Sequence, residues 1–413
     1  MIKKELYIFN GTSRASAYGI GTYIDQLIIA LKDTEWRLNI VFLYTQGNEM
    51  EINEKEGYRQ INIPFPPINH PNAKQYYPTV IAYLLKDIIQ SDKKLEYIFH
   101  LNFMWYSKFV ECLKKHFSCK VILVSHYTDW SLSLFGDTYK LKKLLQKPKK
   151  TLTDVYEKKT VEGFKEDIKM INRVDRLICV AEHSCEVFHR FGKVPCEKIQ
   201  IINNALEDTY QPVSINQKFD LRSKYFFDNK SNIILFVGRL DEVKGIACLI
   251  HVFRKVLYTS PNTYLLIVGE GNFNTWLKEA TDCWSRIIFT GKLDKKKLYE
   301  LYSIADVGVV PSLHEEFGYV AIEMMMHALP IIVTKTGGLN EIVEDNISGL
   351  KVPIRKIKDK RQVDEKCLTE KINYLLENPD YTKELGINGR KRFLEKYELS
   401  LFKNKMLNLY NNV

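Results

Sequence analysis

Residues 311–338, PSLHEEFGYVAIEMMMHALPIIVTKTGG, decide the fold. The apolar run Ala305 to Val310 just before them reads as a buried strand, and Ile331 to Thr334 as the next one. Between the two the sequence predicts a loop with Glu315, Glu316 and Phe317-Gly318, then a helix that holds Glu323 and stops at Pro330. Strand, loop, helix and strand make the repeating unit of a parallel sheet covered by helices. The first N–H groups of such a helix point into the loop and form a ready anion site. Glu315 and Glu323 flank that helix start, where carboxylates are suited to accept hydrogen bonds from hydroxyls.

The same unit recurs upstream. The strand Ile233 to Val237 ends in Gly238-Arg239, a short loop brings in Lys244-Gly245, and a helix begins. Arg makes a bidentate fork on a diphosphate and Lys adds a point charge, so the two converge on anion chemistry. YLLIVGEG is a further strand, with Gly269 and Gly271, and RIIFTGKLD carries the loop Gly291, Lys292, Leu293. After Gly337-Gly338, a helix and NISGLKV complete this sheet, and helices are expected at 363–377, 379–393 and about 396–411. In the last of these Phe402, Met406, Leu407 and Tyr410 fall on one face.

The N-terminal half opens the same way. Leu6 to Asn10 is a strand, Gly11, Gly19 and Gly21 mark a flexible loop, and Thr22 to Leu31 has helical spacing. Strands follow at Ile40 to Tyr44, Tyr97 to His100, Val121 to Ser125 and Leu177 to Val180, with helices such as 80–90 and 107–116 between them. Residues 46–78, with Pro64, Pro66, Pro67 and Pro71, read as loops. His100 and His126 each end a strand, the place from which a side chain reaches a ligand in an open parallel sheet, and Asp129 is close enough in sequence to orient His126. Residues 139–150 hold six lysines and no acid. The plain reading of that run is a solvated, mobile loop; the sharper one is a basic patch for an anionic membrane or a lipid diphosphate.

A chain of 413 residues is too long for one core and suits two domains. Its net charge of +10 is spread evenly, with 30 Lys+Arg and 25 Asp+Glu in residues 1–208, so no half is a basic module for nucleic acid. The eight cysteines include no Cys-x-x-Cys pair, which excludes a zinc ribbon and a disulfide framework and points to reduced thiols. MIKKELYIFNG runs straight into a strand without an apolar signal segment, and no apolar run approaches a membrane span of about 20 residues, so a cytoplasmic protein is expected.

Together these stretches resemble glycosyltransferase family 4, retaining enzymes of the GT-B fold. The resemblance rests on Glu315-x7-Glu323, on GRLDEVKG at 238–245, on YGIGTY at 18–23, and on Glu182-His183-Ser184 followed by Asn203-Asn204-Ala205, where the family has Gly in place of Ala205. It implies an α/β fold of two doubly wound Rossmann-like domains facing a cleft, 1–206 for the acceptor and 207–395 for the nucleotide sugar, with 396–413 crossing back to the first. It also implies roles: Arg239 and Lys244 on the donor diphosphate, Glu315 near the donor sugar, Glu323 on the ribose hydroxyls, and His126 positioning the sugar. Gly19 and Gly21 would approach the donor phosphate and the acceptor. Gly238, Gly269, Lys292, Leu293, Phe317, Gly318, Tyr319 and Val320 would complete the donor site.

The function so implied is transfer of a hexose-type sugar, with retention and without a metal or other cofactor, from a UDP- or GDP-sugar to a saccharide, lipid-linked or peptide acceptor. Its setting would be cell-surface polysaccharide or glycoconjugate synthesis, in the cytoplasm or on the inner face of the membrane through Lys140 to Lys150. The chain has no Asp-x-Asp for a metal clamp. A GT-B sugar-nucleotide epimerase and a non-catalytic nucleotide-sugar-binding subunit are the alternatives. Glycoside hydrolysis is set aside. It needs two carboxyls about 5–9.5 Å apart, whereas eight helical residues rise about 12 Å.

Overall fold

The computed structural model describes residues 3–11, 18–65, 73–89, 95–104, 107–148, 151–152, 154–357 and 360–413. By contacts the chain divides into one unit of residues 1–207 with 399–413 and a second of 208–398; the sequence placed these boundaries at 206/207 and 395/396.

The first unit runs β1 (Lys3–Asn10), α1 (Gly19–Leu31), β2 (Trp36–Thr45), β3 (Glu51–Lys55), β4 (Tyr58–Pro64), α2 (Ala73–Ile88), β5 (Leu95–Leu101), α3 (Ser107–His116), β6 (Cys119–Ser125), α4 (Asp129–Ser133), α5 (Thr138–Gln146), α6 (Val155–Arg173), β7 (Arg176–Cys179), α7 (Glu182–Arg190) and β8 (Ile199–Ile201). Its sheet has the order β3-β4-β2-β1-β5-β6-β7-β8, parallel except for the β3–β4 hairpin. That hairpin corrects the reading of 46–78 as loops. β3 is exposed along its whole length and so carries no apolar alternation to announce it. Pro66, Pro67 and Pro71 lie outside the described residues.

The second unit runs α8 (Ile215–Lys224), β9 (Asn232–Val237), α9 (Ile246–Thr259), β10 (Thr263–Val268), α10 (Phe273–Glu279), β11 (Ile287–Gly291), α11 (Lys295–Ile304), β12 (Val307–Val310), α12 (Tyr319–Met326), β13 (Ile331–Thr334), α13 (Gly337–Ile342), β14 (Leu350–Val352), β15 (Ile354–Ile357), β16 (Lys360–Val363), α14 (Glu365–Glu377) and α15 (Pro379–Lys396). The sheet order is β11-β10-β9-β12-β13-β14, all parallel. β9, β12 and β13 read as continuous apolar runs because helices cover both faces of a parallel sheet. Ile234, Phe236, Val307, Val309 and Ile332 are all buried in one core.

The last helix, α16 (Leu399–Asn411), belongs to the first unit and packs on α1. Its buried residues are Leu399, Phe402, Met406, Leu409 and Tyr410. Leu407, expected on that face, is only half-buried, and Leu409 takes its place. His100 explains the grip. Fully buried, its ring lies between two phenols, Nε2 at 3.3 Å from the Tyr23 hydroxyl and Nδ1 at 2.9 Å from the Tyr410 hydroxyl. Burial pushes the imidazole down to about 3, so the ring is neutral, with one nitrogen donating and the other accepting. His100 therefore ties α16 to the sheet and has no surface to offer a substrate, which corrects its reading as a ligand-facing residue.

Candidate active site

In an open parallel sheet, ligands bind beyond the carboxyl ends of the strands where the strand order reverses. In the second unit that point lies between β9 and β12. The loops leaving these two strands are 238–245 and 311–318, the two stretches singled out in the sequence.

The loops are locked together. Leu313 N–H donates to the Val243 carbonyl at 2.7 Å. Gly245 sits at φ +72°, and a Cβ there would lie 2.1 Å from the Pro311 carbonyl oxygen, so only glycine lets the first loop close on the second. This contact carries the Lys244 ammonium onto the Glu315 carboxylate. Ser312 Oγ donates to the same Glu315 oxygen at 3.0 Å, and Gly338 N–H holds the Glu315 carbonyl at 3.0 Å. Arg239 pairs with Asp241 at 3.2 Å. Asp241 also caps the short 3-10 turn Glu242–Lys244 by accepting from Lys244 N–H. Both cations are thus matched to carboxylates at the strand ends.

Gly318, at φ +124°, opens α12; a Cβ there would lie 2.7 Å from Leu339 Cδ2. Phe317 is 5% exposed and packs against the Tyr319 and Tyr397 rings, so its side chain serves the core and only its backbone is left for a ligand. Tyr319 and Val320 are half-buried, and Lys292 is exposed on the loop after β11. Gly238 and Gly269 stack at the ends of β9 and β10, with Gly238 N–H on the Val268 carbonyl and Gly269 N–H on the Gly291 carbonyl.

Glu323 has a different neighbourhood from Glu315. Its Oε2 accepts from the Tyr302 hydroxyl of α11 at 2.8 Å. Burial raises the Glu323 carboxyl above the usual range, and the Tyr302 hydrogen bond offsets part of that. The His327 ring, tilted against Tyr299 and Tyr302 and edge-on to Tyr210, closes this side, with Nδ1 2.9 Å from the Glu323 carbonyl. Burial lowers the His327 pKa. A cavity of about 630 Å³ behind this wall, lined by Asn232, Val307 and Pro330, opens at the amino ends of the strands, away from Arg239 and Lys244.

In the first unit the order reverses between β1 and β5. Asn102, just beyond β5, is buried and donates from Nδ2 to the Phe9 carbonyl of β1 at 3.1 Å. That bond fixes the amide so that Oδ1 faces His126 Nε2 at 2.9 Å. The imidazole, edge-on to Tyr23, is thus oriented by Asn102. The carboxylate expected to orient it, Asp129, lies against α6 instead. It would be within 4 Å of a Cβ at Gly163, and its charge helps raise Asp167 to about 8, after burial. Gly19 and Gly21 are not in a loop; α1 starts at Gly19, so both lie in its first turn, where the N–H groups are free of helical partners.

The lysine run is also ordered where it is described. α5 buries Leu141 and Leu144 and exposes Lys140, Lys142 and Lys143, with Lys143 over the Tyr139 ring at 4.5 Å. The loop reading is therefore corrected to an amphipathic helix; Lys149 and Lys150 lie outside the described residues. Asn102, Tyr302, Ser312 and Asp241 contact the candidate residues and were not singled out by the sequence. Asn102 was open to the argument applied to His100, since it lies two residues further along the same strand exit.

The model of glycosyltransferase family 4 matches residues 17–209, and the model of glycosyl transferases group 1 matches residues 217–392. The chain belongs to the family 4 glycosyltransferases. This family 4 chain is 32% identical over 176 residues to an uncharacterized glycosyltransferase of Methanocaldococcus jannaschii, covering 41% of this chain and 43% of the relative. It is 21% identical over 247 residues to the alpha-D-kanosaminyltransferase of Streptomyces kanamyceticus, covering 59% and 62%. The chain thus spans about half the length of the curated relatives it matches. Among solved structures, sucrose-phosphate synthase from Thermosynechococcus elongatus superposes with a TM-score of 0.75 at 22% identity, covering 99% of this chain and 98% of that one. Anabaena HepE, solved with UDP and glucose, superposes at 0.73 with 15% identity over 100% of both chains. The fold is that of GT-B glycosyltransferases.

Proposed function

We propose that this family 4 chain is a retaining, metal-independent glycosyltransferase that moves a hexose-type sugar from a UDP- or GDP-sugar to an acceptor hydroxyl. The observation that carries the reading is the meeting of loops 238–245 and 311–318 at the β9/β12 reversal, which sets Lys244 on Glu315, with Arg239 on the same loop as Lys244. A nucleoside diphosphate there gains two cations and the N–H groups at the start of α12. These neutralise the charge that builds as the glycosidic bond breaks. In the retaining course the acceptor hydroxyl attacks from the face that the diphosphate leaves. A phosphate oxygen takes the hydroxyl proton, and no enzymic nucleophile is used. Glu315 holds a sugar hydroxyl, Glu323 the ribose, and His126 positions the sugar.

HepE was solved with UDP and glucose, which supports a uridine donor. The acceptor is a saccharide, a lipid-linked glycan or a peptide, in surface polysaccharide or glycoconjugate synthesis. The exposed lysines of α5 suit an anionic membrane surface, and no helix among the described residues is long and apolar enough to cross one. Location in the cytoplasm, with peripheral attachment at the inner face of the membrane, is part of this reading.

The test has two stages. A thermal-shift panel of UDP-, GDP- and ADP-sugars should raise the melting point for one base only; saturation at about 100 Kd adds about 2.7 kcal/mol. Nuclear magnetic resonance of the products then distinguishes transfer with retention from inversion, epimerised donor or no reaction. Arg239→Ala and Lys244→Ala should each lower turnover about 100-fold or more. Near-normal activity in either variant sinks the phosphate assignment.

A further inference from the structure

The cavity of about 630 Å³ behind Glu323 has no part in the transferase reading, and its volume is that of a small-molecule site. Its interior is apolar: Val307, Leu329 and Leu375 line it and are buried. Its rim mixes two kinds of side chain. α8 brings Ile215 and Lys218, three residues apart, and α15 brings Lys383 and Ile387, four apart. At these spacings the apolar and the cationic side chain share one helix face. Ile215 is 62% and Ile387 55% exposed, so both lips of the cavity hold aliphatic surface open to solvent. Asp306 also lines the cavity, but Arg222 takes both of its oxygens at 2.7 Å, and Lys218 reaches it at 3.3 Å. Lys383 is exposed. The mouth therefore carries net positive charge over an apolar interior.

The inner wall is shared with the donor side. Tyr302 lines the cavity, and its hydroxyl donates to Glu323 Oε2 at 2.8 Å. His327 lines it too, and its Nδ1 lies 2.9 Å from the Glu323 carbonyl oxygen. A carbonyl only accepts, so Nδ1 carries the ring proton. Two side chains of the cavity wall thus hold Glu323, one by its carboxylate and one by its main chain.

We propose that this cavity is a regulatory site for an amphipathic anion, a medium-chain fatty carboxylate. Its carboxylate meets Lys218 and Lys383 at the mouth, and its chain fills the apolar interior. The chain packs against Tyr302 and His327, so occupancy changes the hold on Glu323 and with it the affinity for the donor nucleotide. This coupling rests on the proposed function, which puts Glu323 on the ribose; the site itself does not.

Calorimetry of the whole chain with octanoate, decanoate and dodecanoate, each below its micelle concentration and without nucleotide, tests the site. One molecule should bind per chain, about fourfold tighter for each added methylene, the scale of burying one CH₂. Decyltrimethylammonium, a similar tail with the opposite charge, should bind about tenfold more weakly or not at all. Lys218→Met with Lys383→Met, and separately Ile387→Asp, should each weaken decanoate about fivefold, the upper end for surface charge pairs, with an unchanged circular dichroism spectrum. Saturating decanoate should change UDP affinity about fivefold or more, the lower end of coupling between two sites. Equal binding of the anionic and cationic tails, uptake of many molecules per chain, or full affinity in Ile387→Asp overturns the site. A doubled mass in sedimentation, with no decanoate bound, overturns it in favour of a second copy of the chain. Bound decanoate with UDP affinity unchanged removes the coupling to Glu323. UDP that does not bind at all counts against the donor assignment and not against the site.

Discussion

The Lys244 ammonium is held by the Glu315 carboxylate, across two loops that leave neighbouring parallel strands. Under the proposed function, a diphosphate arriving at Lys244 competes with that carboxylate for the ammonium. The displaced carboxylate is then free to accept from a sugar hydroxyl. The two groups are therefore coupled: the anion that occupies the cation also releases the acid.

Glu315→Gln separates the two halves of this coupling. The amide keeps an oxygen for the Ser312 hydroxyl, which donates at 3.0 Å, but no longer neutralises Lys244. Free UDP or GDP should bind several-fold tighter, and turnover should fall about tenfold or more, because an interaction made in the transition state is lost while the ground state gains. Calorimetry with the nucleotide and single-turnover transfer measure the two effects. Weaker nucleotide binding in this variant would show that Glu315 does not compete for Lys244.

Glu323 carries a cost of its own. Burial raises its carboxyl, so the folded protein binds the proton more tightly than the unfolded chain does, and stability falls as pH rises through the window above the ordinary carboxylate range. Glu323→Gln keeps an acceptor for the Tyr302 hydroxyl and removes the buried charge. The melting temperature at pH 7 should stay level or rise, while affinity for the donor nucleotide falls about tenfold. A lower melting temperature with unchanged nucleotide affinity would make Glu323 a structural residue only.

Where the sequence was legible, the reason is periodicity or a backbone demand. The buried strands β9, β12 and β13 are unbroken apolar runs, and Lys244-Gly245 needs its glycine for a contact with Pro311. Where it was not, the deciding partner lies far along the chain or leaves no pattern. Asn102, not the nearby Asp129, orients His126, because β5 and β6 are neighbours in space. Tyr302 meets Glu323 across two helices. The hairpin β15–β16, rich in Lys and Arg, and the exposed strand β3 alternate too little to be told from loops.

Asn102 gives a prediction of its own. It touches the Phe9 backbone, His100 and His126, and under the proposed function its effect on turnover runs through the His126 ring it orients. Asn102→Ala should lower turnover about tenfold or more, the scale of a misplaced positioning group, with nucleotide affinity unchanged, because the proposed nucleotide site is built from loops of the second unit. A variant that loses nucleotide affinity instead of turnover would separate Asn102 from His126.

The last prediction concerns His100. Its pKa in the folded protein is about 3, against an ordinary value of 6.5, because burial between Tyr23 and Tyr410 excludes the charged ring. The unfolded chain binds a proton below pH 6.5 and the folded chain does not, so stability rises with pH across this window. Its contribution is complete above pH 6.5 and is lost as pH falls towards about 3, at up to about 1.4 kcal/mol per pH unit. His100→Gln cannot gain a proton and keeps a donor and an acceptor for the two phenols. It should be less stable at pH 7, yet lose less between pH 6 and pH 4 than wild type. Urea unfolding at four pH values measures the difference, and taking that difference cancels the other titrating groups. Parallel curves for the two proteins would mean that His100 is not kept neutral by its burial.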